Sequence, residues 1–256
     1  MPRIRLHDLL WYDGRVKKKV ILIAHRGDPA HAPENTLVSV RQAVEKGAVF
    51  VEIDLRRTKD GVWVALHDPT LKRTVGLKRR IKTMTWDEIR RLEAGGWFSP
   101  RFLGERIPRL EQVWDFCRDR GVGLFLDVKA DQGQEELVRF FQRERGNRPL
   151  YAGFSVVRAL KRWRQSDQGR HPLFWVTGYS AAVTKRRLWT ARRLGIDGLV
   201  VYRKWINPRS VKRIHAKGLK AYAWTARTAR QIEQLAACGV DGIMSEVWPH
   251  RFETGS

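Results

Sequence analysis

The chain has few cysteines and no long apolar run. Its 256 residues include only Cys117 and Cys238, which lie far apart and lack CxxC or metal-ligand spacing. We therefore expect two free core thiols in a protein of a reducing compartment, the cytoplasm. No apolar segment approaches the roughly 20 residues that a membrane-spanning helix needs. The polar residues His7, Asp8 and Asp13 interrupt the N-terminal segment, so we also expect no secretory signal.

Acidic residues are scarce relative to basic ones, because 50 lysines and arginines stand against 27 aspartates and glutamates. The net charge of +23 favours encounter with phosphate substrates, anionic membranes and nucleic acids. No helix-turn-helix, zinc-finger or RNA-binding signature accompanies that charge, which argues against nucleic-acid binding as the main function. The charge leaves open a peripheral contact with an anionic membrane surface, and it does not predict an oligomeric state.

Polar residues concentrate at the ends of two predicted strands in the first quarter of the chain. The β-branched run 20–24 predicts a strand that delivers a histidine and an arginine at its carboxyl end. The apolar run 50–55 predicts a second strand, which carries Glu52 and Asp54. Side chains two residues apart on a strand share a face, so these two carboxylates should point the same way.

A predicted hairpin adds a histidine to this group. The Lys-Asp-Gly sequence at 59–61 predicts a tight turn, after which residues 62–67 would fold back on the preceding strand. That arrangement sets His67 across from the neighbourhood of Glu52, and the combined polar groups could hold a cation and a phosphate. The alternative is a surface hairpin with a solvated acid pair, since Glu-x-Asp alone is a common pattern.

Strand and helix patterns alternate along the rest of the chain and give nine candidate strands in all. The later strands are predicted at 123–129, 151–155, 173–177, 198–202, 221–225 and 242–245. Helical segments separate them, so we predict an α/β fold, a TIM-type (β/α)8 barrel in one domain spanning 1–256. The surplus strand is then the hairpin partner at 62–67, followed by an inserted region at 69–108. An open doubly wound sheet is the alternative, but the chain has no GxGxxG turn or P-loop.

Several short motifs occur in the order and spacing of a known enzyme family. They are HRG, PENT, ExD before a DG turn, HDPTLKRT, IPRLEQVW, LDVK, GFS, AWT and GVDGIMS. Together they extend over nearly the whole chain, which resembles the glycerophosphodiester phosphodiesterase family. The resemblance implies metal-dependent hydrolysis of small-molecule glycerophosphodiesters to glycerol 3-phosphate and an alcohol. It also implies that the insertion at 69–108 is a lid over the active-site mouth.

Three carboxylates at predicted strand ends suit a hard divalent cation. Glu52, Asp54 and Asp127 offer oxygen ligands of the kind that Mg²⁺ or Ca²⁺ takes, so we predict one such ion as the cofactor. Arg26 and Lys129 would hold the remaining charge of the phosphate as the transition state develops. These positions fall at the ends of strands where barrel active sites are built.

The resemblance implies that His25 and His67 act as acid and base in turn, with a hydroxyl of the substrate's glycerol arm as the first nucleophile. Histidine titrates near neutrality and suits both roles. Trp224 is expected to contact the substrate. Glu34 in the PENT motif is expected to orient Arg26 or a metal-bound group.

The chain departs from the family pattern in three places. The departures are Asp127 in place of the usual Glu, Ala226-Arg227 in place of Val-Asn after Thr225, and Ser245-Glu246 in place of a closing Thr-Asp. We expect them to affect metal or substrate preference rather than reaction type. The rival activities are a lysophospholipase D that acts on membrane lipids and a basic barrel that binds without turnover. The intact set of two histidines and three carboxylates argues against the second.

Overall fold

The structure, a computed structural model, describes residues 10–11, 20–144, 149–179 and 183–248. The polar residues on which the expectation of no secretory signal rests lie outside these ranges. The strands in them are β1 Leu10–Trp11, β2 Val20–His25, β3 Phe50–Arg57, β4 Trp63–Ala65, β5 Gly123–Val128, β6 Leu150–Phe154, β7 Leu173–Val176, β8 Gly198–Tyr202, β9 Lys220–Ala226 and β10 Gly242–Ser245. The α-helices are α1 Leu37–Glu45, α2 Lys72–Val75, α3 Trp86–Ile89, α4 Leu110–Arg120, α5 Gln134–Arg143, α6 Val157–Asp167, α7 Lys185–Arg193, α8 Pro208–His215 and α9 Ala229–Ala237.

Eight parallel strands close into a barrel. Their hydrogen-bonded order is β2, β10, β9, β8, β7, β6, β5 and β3, and β3 pairs back with β2. Strand β4 runs antiparallel to the carboxyl end of β3, with Leu55 opposite Ala65. The predicted (β/α)8 barrel and the predicted hairpin are therefore both confirmed. Strand β1 pairs antiparallel with β2 and was not predicted, because two residues carry no periodic pattern.

Aromatic rings fill the barrel interior because neighbouring strands supply glycines opposite them. Phe50 on β3 lies opposite Gly123 on β5, and Phe174 on β7 lies opposite Gly198 on β8. These rings belong to an inner apolar cluster that is distinct from the larger apolar layer beneath the helices. The barrel is thus packed rather than hollow, which leaves its rim as the place for a polar site.

Replacing Gly198 by alanine is expected to destabilise the barrel. A Cβ at this position would lie 2.6 Å from Phe174 Cε1 and 2.8 Å from the carbonyl oxygen of Lys220. Overpacking of this kind lowers the free energy of unfolding by about 1–3 kcal/mol, which urea unfolding can measure. Gly178→Ala is the matched control, because no described residue lies within 4 Å of the Cβ that it would introduce. Equal stability of the two variants would contradict this packing argument.

The predicted insertion follows β4 and packs around an apolar cluster of its own. Ile81 lies in this cluster, which also includes Val64 from β4. Helix α3 begins with a capping box, in which the Thr85 side chain accepts from the Glu88 backbone and Glu88 Oε2 accepts from the Thr85 N–H at 2.8 Å. The insertion at 69–108 is therefore an ordered attachment beside the barrel. Its role as a lid stays a prediction.

Both cysteines are free thiols, as expected from their spacing. Cys117 is buried on α4, and burial raises the pKa of its thiol to about 12. Cys238 follows α9 and is only partly buried, so it lies at the edge of the core rather than within it. Within the described ranges, no helix combines the length and the apolar character needed to cross a membrane.

Candidate active site

Three carboxylates meet at the carboxyl ends of β3 and β5. Glu52 and Asp54 lie two residues apart on β3, and Asp54 lies opposite Asp127 in the pairing with β5. All three are buried, and one oxygen from each lies within 4.8 Å of the others. Asp127 Oδ1 is buried and accepts no hydrogen bond from any described residue. This donor set, with one oxygen left open, fits a hard divalent cation.

Two basic side chains lie against the carboxylates. Lys129 Nζ is 2.6 Å from Asp127 Oδ2 and 3.1 Å from Asp54 Oδ1. Arg26 Nε is 2.9 Å from Asp54 Oδ2, and the Arg26 backbone N–H donates to Glu52 Oε2 at 2.9 Å. Arg26 adopts a left-handed φ of 59°, a conformation that non-glycine residues rarely take and that is frequent at functional sites. Both cations can therefore reach an anion bound beside the carboxylates.

Burial and neighbouring charge set the protonation of this group. Burial alone would raise the pKa of Asp54, but Lys129 and Arg26 outweigh it and hold the pKa well below its usual value. Burial acts to lower the pKa of Lys129, but the nearby Asp127 and Asp54 outweigh burial and raise that pKa above its usual value. Burial raises the pKa of Glu52 well above its usual value, with repulsion from Asp54 and Asp127 in the same direction. A cation among the three carboxylates would favour the ionised form of Glu52, because it offsets that repulsion.

Asn35 holds Asp54 in place from the loop that follows β2. Its Nδ2 donates to Asp54 Oδ2 at 3.0 Å, and the Asp54 backbone N–H donates to Asn35 Oδ1 at 3.1 Å. The side chain is buried, so this reciprocal pair fixes the orientation of the carboxylate. The sequence-based predictions gave Asn35 no role. Its position in PENT, directly after Glu34, was the available signal.

His25 is the last residue of β2 and is buried between two carboxylates. Its Nε2 lies 3.9 Å from Glu52 Oε2, and its Nδ1 lies 3.6 Å from Glu246 Oε1. Burial lowers the pKa of His25, while Glu246 acts in the opposite direction. The neutral imidazole that burial favours can accept a proton.

His67 is connected to Arg26 by a chain of ion pairs. Its Nδ1 lies 2.8 Å from Asp68 Oδ1, and Arg73 Nε donates to Asp68 Oδ2 at 2.7 Å. Arg73 also donates two hydrogen bonds to the Glu34 carboxylate, from Nη1 at 2.7 Å and from Nη2 at 2.8 Å. Glu34 accepts a further hydrogen bond from Arg26 Nη1 at 2.9 Å. Burial acts to raise the pKa of Asp68, but Arg73 and His67 outweigh burial and lower that pKa. The ionised Asp68 carboxylate favours the tautomer of His67 that carries its N–H on Nδ1, the nitrogen that faces Asp68. The Nε2 of His67 is then the nitrogen that can exchange a proton with substrate.

Trp224 lies at the carboxyl end of β9 and faces the same cavity as both histidines. The cavity has a volume of about 170 Å³, and its walls include Trp224, Tyr179, His25 and His67. The indole packs against Tyr179 and Tyr202, with ring centroids 4.8 and 5.3 Å apart. Tyr179 is 65% exposed, so an aromatic surface flanks the entrance to this cavity.

Two of the departures from the family pattern pair with each other. Arg227 Nε donates to Glu246 Oε2 at 2.8 Å, and the other oxygen of Glu246 faces His25. Burial opposes ionisation of Glu246, but His25 and Arg227 lower its pKa to about 2. The sequence-based predictions named both departures without connecting them. The structure shows that they form one ionic group behind a predicted catalytic histidine.

The predicted site residues all lie in strands or loops at one end of the barrel. Seven of them either belong to the carboxylate group or are joined to it by ion pairs: His25, Arg26, Glu34, Glu52, Asp54, Asp127 and Lys129. His67 joins through Asp68 and Arg73, and Trp224 joins through the shared cavity. The hairpin alternative, a solvated acid pair, is wrong because both carboxylates of β3 are buried. The ligand and catalytic roles of these residues stay predictions.

Comparison with known proteins gives one consistent result. The family model described as the Glycerophosphoryl diester phosphodiesterase family matches residues 25–247. A glycerophosphodiester phosphodiesterase of Caldanaerobacter subterraneus is 29% identical, over 89% of this chain and 94% of that protein. Glycerophosphodiester phosphodiesterase 1 of Bos taurus is 31% identical, over 83% of this chain and 73% of that protein.

Solved structures show the same similarity. An Oleispira antarctica phosphodiesterase in complex with the product sn-glycerol-3-phosphate superposes with a TM-score of 0.82 and 27% identity, covering 91% of this chain and 94% of that chain. A glycerophosphodiester phosphodiesterase from Agrobacterium tumefaciens superposes with a TM-score of 0.75 at 22% identity, covering 89% of this chain and 96% of that chain. The second similarity supports the barrel fold alone.

Proposed function

The chain belongs to the glycerophosphoryl diester phosphodiesterase family, and from this premise we propose that it uses a divalent cation and two histidines to hydrolyse soluble glycerophosphodiesters to glycerol 3-phosphate and an alcohol. One observation carries the proposal: three buried carboxylates, two cations and a buried histidine lie together at the rim of the barrel. Such a set combines a place for a metal ion with a place for a phosphodiester.

The metal would be held by Glu52, Asp54 and Asp127, which fit a hard cation in donor type and in separation. When bound, Mg²⁺ or Ca²⁺ supplies charge neutralisation for the phosphoryl oxygens. Asn35 keeps Asp54 oriented towards this position. Glu52 must be ionised to serve as a ligand, so metal binding releases a proton wherever Glu52 was protonated.

Arg26 and Lys129 bind the phosphodiester. Each lies within 3.1 Å of a metal-site carboxylate, so each stays close to any phosphate beside the triad. Charge-assisted hydrogen bonds from these side chains strengthen as negative charge develops on the phosphoryl oxygens. Glu34 fixes the Arg26 guanidinium by accepting its hydrogen bond. Trp224 provides an apolar wall for the substrate.

His25 and His67 move the protons. One takes a proton from the glycerol hydroxyl next to the phosphodiester as that hydroxyl attacks phosphorus, and the other gives a proton to the departing alcohol. Water then opens the cyclic phosphate with the proton transfers reversed. Asp68 holds His67 by its Nδ1, and Glu246 faces Nδ1 of His25, so a carboxylate orients each ring.

The purified protein should release glycerol 3-phosphate from glycerophosphocholine and glycerophosphoethanolamine when Mg²⁺ or Ca²⁺ is present. A chelator should abolish the release, and adding back the ion should restore it. Thermal unfolding offers a readout independent of turnover, because an ion that binds only the native state raises the melting temperature. Release that continues in the chelator, or no release with either ion, would overturn the proposal.

A lysophospholipase D activity is the second candidate, and the aromatic entrance favours it. Tyr179 is 65% exposed beside the cavity, and Trp205, at 40% exposed, donates its indole N–H to the Tyr179 carbonyl oxygen. Such side chains could rest on a lipid surface with the basic protein attracted to anionic headgroups. Binding to anionic vesicles should then weaken steeply as salt rises, whereas turnover of a soluble diester should change little. Equal turnover of lysophospholipid at low and high salt would contradict the surface-docked activity.

A further inference from the structure

A second and larger cavity opens beside the metal site and is lined mainly by cations. Its volume is about 480 Å³, within the range of small-molecule sites. The basic residues in its wall are Arg56, Arg57, Lys59, Arg80, Lys82 and Lys129, and the acidic residue is Asp131. This imbalance makes the cavity a strongly positive environment.

Three exposed cations in this wall have no carboxylate partner. Lys59, Arg80 and Lys82 form no ion pair within the described part of the chain. The same insertion pairs other arginines, since Arg79 contacts Glu88 at 3.1 Å and Arg90 contacts a neighbouring aspartate. The unpaired cations of the cavity wall are therefore available to an anionic ligand.

The cavity and the carboxylate group share one residue, Lys129. This side chain lines the cavity and also contacts Asp54 and Asp127 of the metal site. Arg56 lines it too and donates to the backbone carbonyl oxygen of His67 at 2.7 Å. A phosphodiester bound beside Lys129 could extend one of its two arms directly into this cavity.

We propose that this cavity binds a second anionic group, a phosphate carried by the leaving alcohol of the substrate. The inference rests on the proposed function and adds to it a preference, among glycerophosphodiesters, for those whose alcohol is itself phosphorylated. Unpaired cations stabilise such an arm by charge-assisted hydrogen bonds. They disfavour an alcohol with a positive charge, such as choline. The insertion supplies Arg80 and Lys82, so it acts as the part of the fold that selects the leaving group.

The test compares two substrates that differ only in this charge. They are glycerophosphoglycerol and the same diester with a phosphate on its terminal hydroxyl, assayed at fixed metal concentration and ionic strength. The measured quantity is the ratio of kcat/KM for the phosphorylated substrate to kcat/KM for the neutral one. We expect a ratio of about ten or more in the native protein, from two or more added charge-assisted contacts. A ratio of one or less overturns the inference.

The double variant Arg80→Gln, Lys82→Gln should lower that ratio about tenfold. The control Lys212→Gln, Arg213→Gln removes the same charge from the exposed surface of α8, and its ratio should match that of the native protein. Neither pair makes an ion pair with a described residue, so unfolding curves should stay close to the native one. An unchanged ratio in the Arg80, Lys82 variant overturns the inference, as does an equal loss in the control. Hydrolysis of neither substrate by the native protein would instead overturn the proposed function.

Discussion

Replacement of His25 or His67 by glutamine is expected to lower kcat by about 10³-fold, because each histidine transfers a proton in the proposed mechanism. His25 is buried between Glu52 and Glu246, and His67 is held by Asp68. Glutamine preserves hydrogen bonding and approximate size at both positions, so the fold should persist. Steady-state rates with glycerophosphocholine measure the loss, and circular dichroism checks the fold.

A diester with a more acidic leaving alcohol separates the two roles. The variant that lacks the general acid of the first step should recover part of its single-turnover rate of p-nitrophenol release, because that alcohol departs without a proton. The variant that lacks the base should not recover. His215→Gln is the matched control, since His215 also pairs with a carboxylate, Asp241 at 2.8 Å, but lies on α8 away from the site. A rate within about threefold of the native value for either site variant would remove that histidine from the catalytic group.

Asp54→Asn should weaken metal binding by about 100-fold or more, because it removes a ligand charge from the centre of the carboxylate group. Metal titration by calorimetry measures this directly and does not depend on turnover. Turnover should fall in parallel. Asp119→Asn is the control, because Asp119 is exposed on α4 and contacts only Arg118 among the described residues. An unchanged metal affinity in Asp54→Asn would contradict the ligand assignment.

The same variant should also change stability in a pH-dependent way. Arg26 and Lys129 hold the pKa of Asp54 below its ordinary value of 3.8, so its ionised form stabilises the native state. That stabilisation is fully present above about pH 3.8 and is lost as the pH falls through the lower native pKa. The difference in unfolding free energy between native protein and variant should therefore be about 3 kcal/mol near pH 7 and shrink in acid. A difference that grows in acid would contradict this account.

Most of the barrel was predictable because its signals are local. Apolar runs separated by amphipathic segments predicted every barrel strand, and the turn at 59–61 predicted the hairpin partner of β3. The placement of Glu52 and Asp54 on one face follows from the two-residue repeat of a strand. Strand β1 was missed because a two-residue strand has no repeat, and its pairing depends on where the chain returns to β2.

Contacts among the predicted site residues were only partly predictable. Asn35 hydrogen-bonds to Asp54 across 19 positions of sequence, and Arg73 pairs with Glu34 across 39. The pairing of Arg227 with Glu246 joins the ends of two neighbouring strands. Such pairs depend on the exact stagger of strands and the path of loops, which no single segment encodes.

The sequence by itself determined the fold class, the family and the set of chemical groups at the rim. Strand periodicity and short motifs encode those features, since each is carried by residues close together in the chain. Only the tertiary structure decided which cations neutralise the carboxylates and which line an open cavity. The cavity wall combines residues 56–59 at the carboxyl end of β3, 80–82 from the insertion and 129–132 after β5. Their charges act together because packing of the insertion against the barrel brings three distant segments within reach of one ligand.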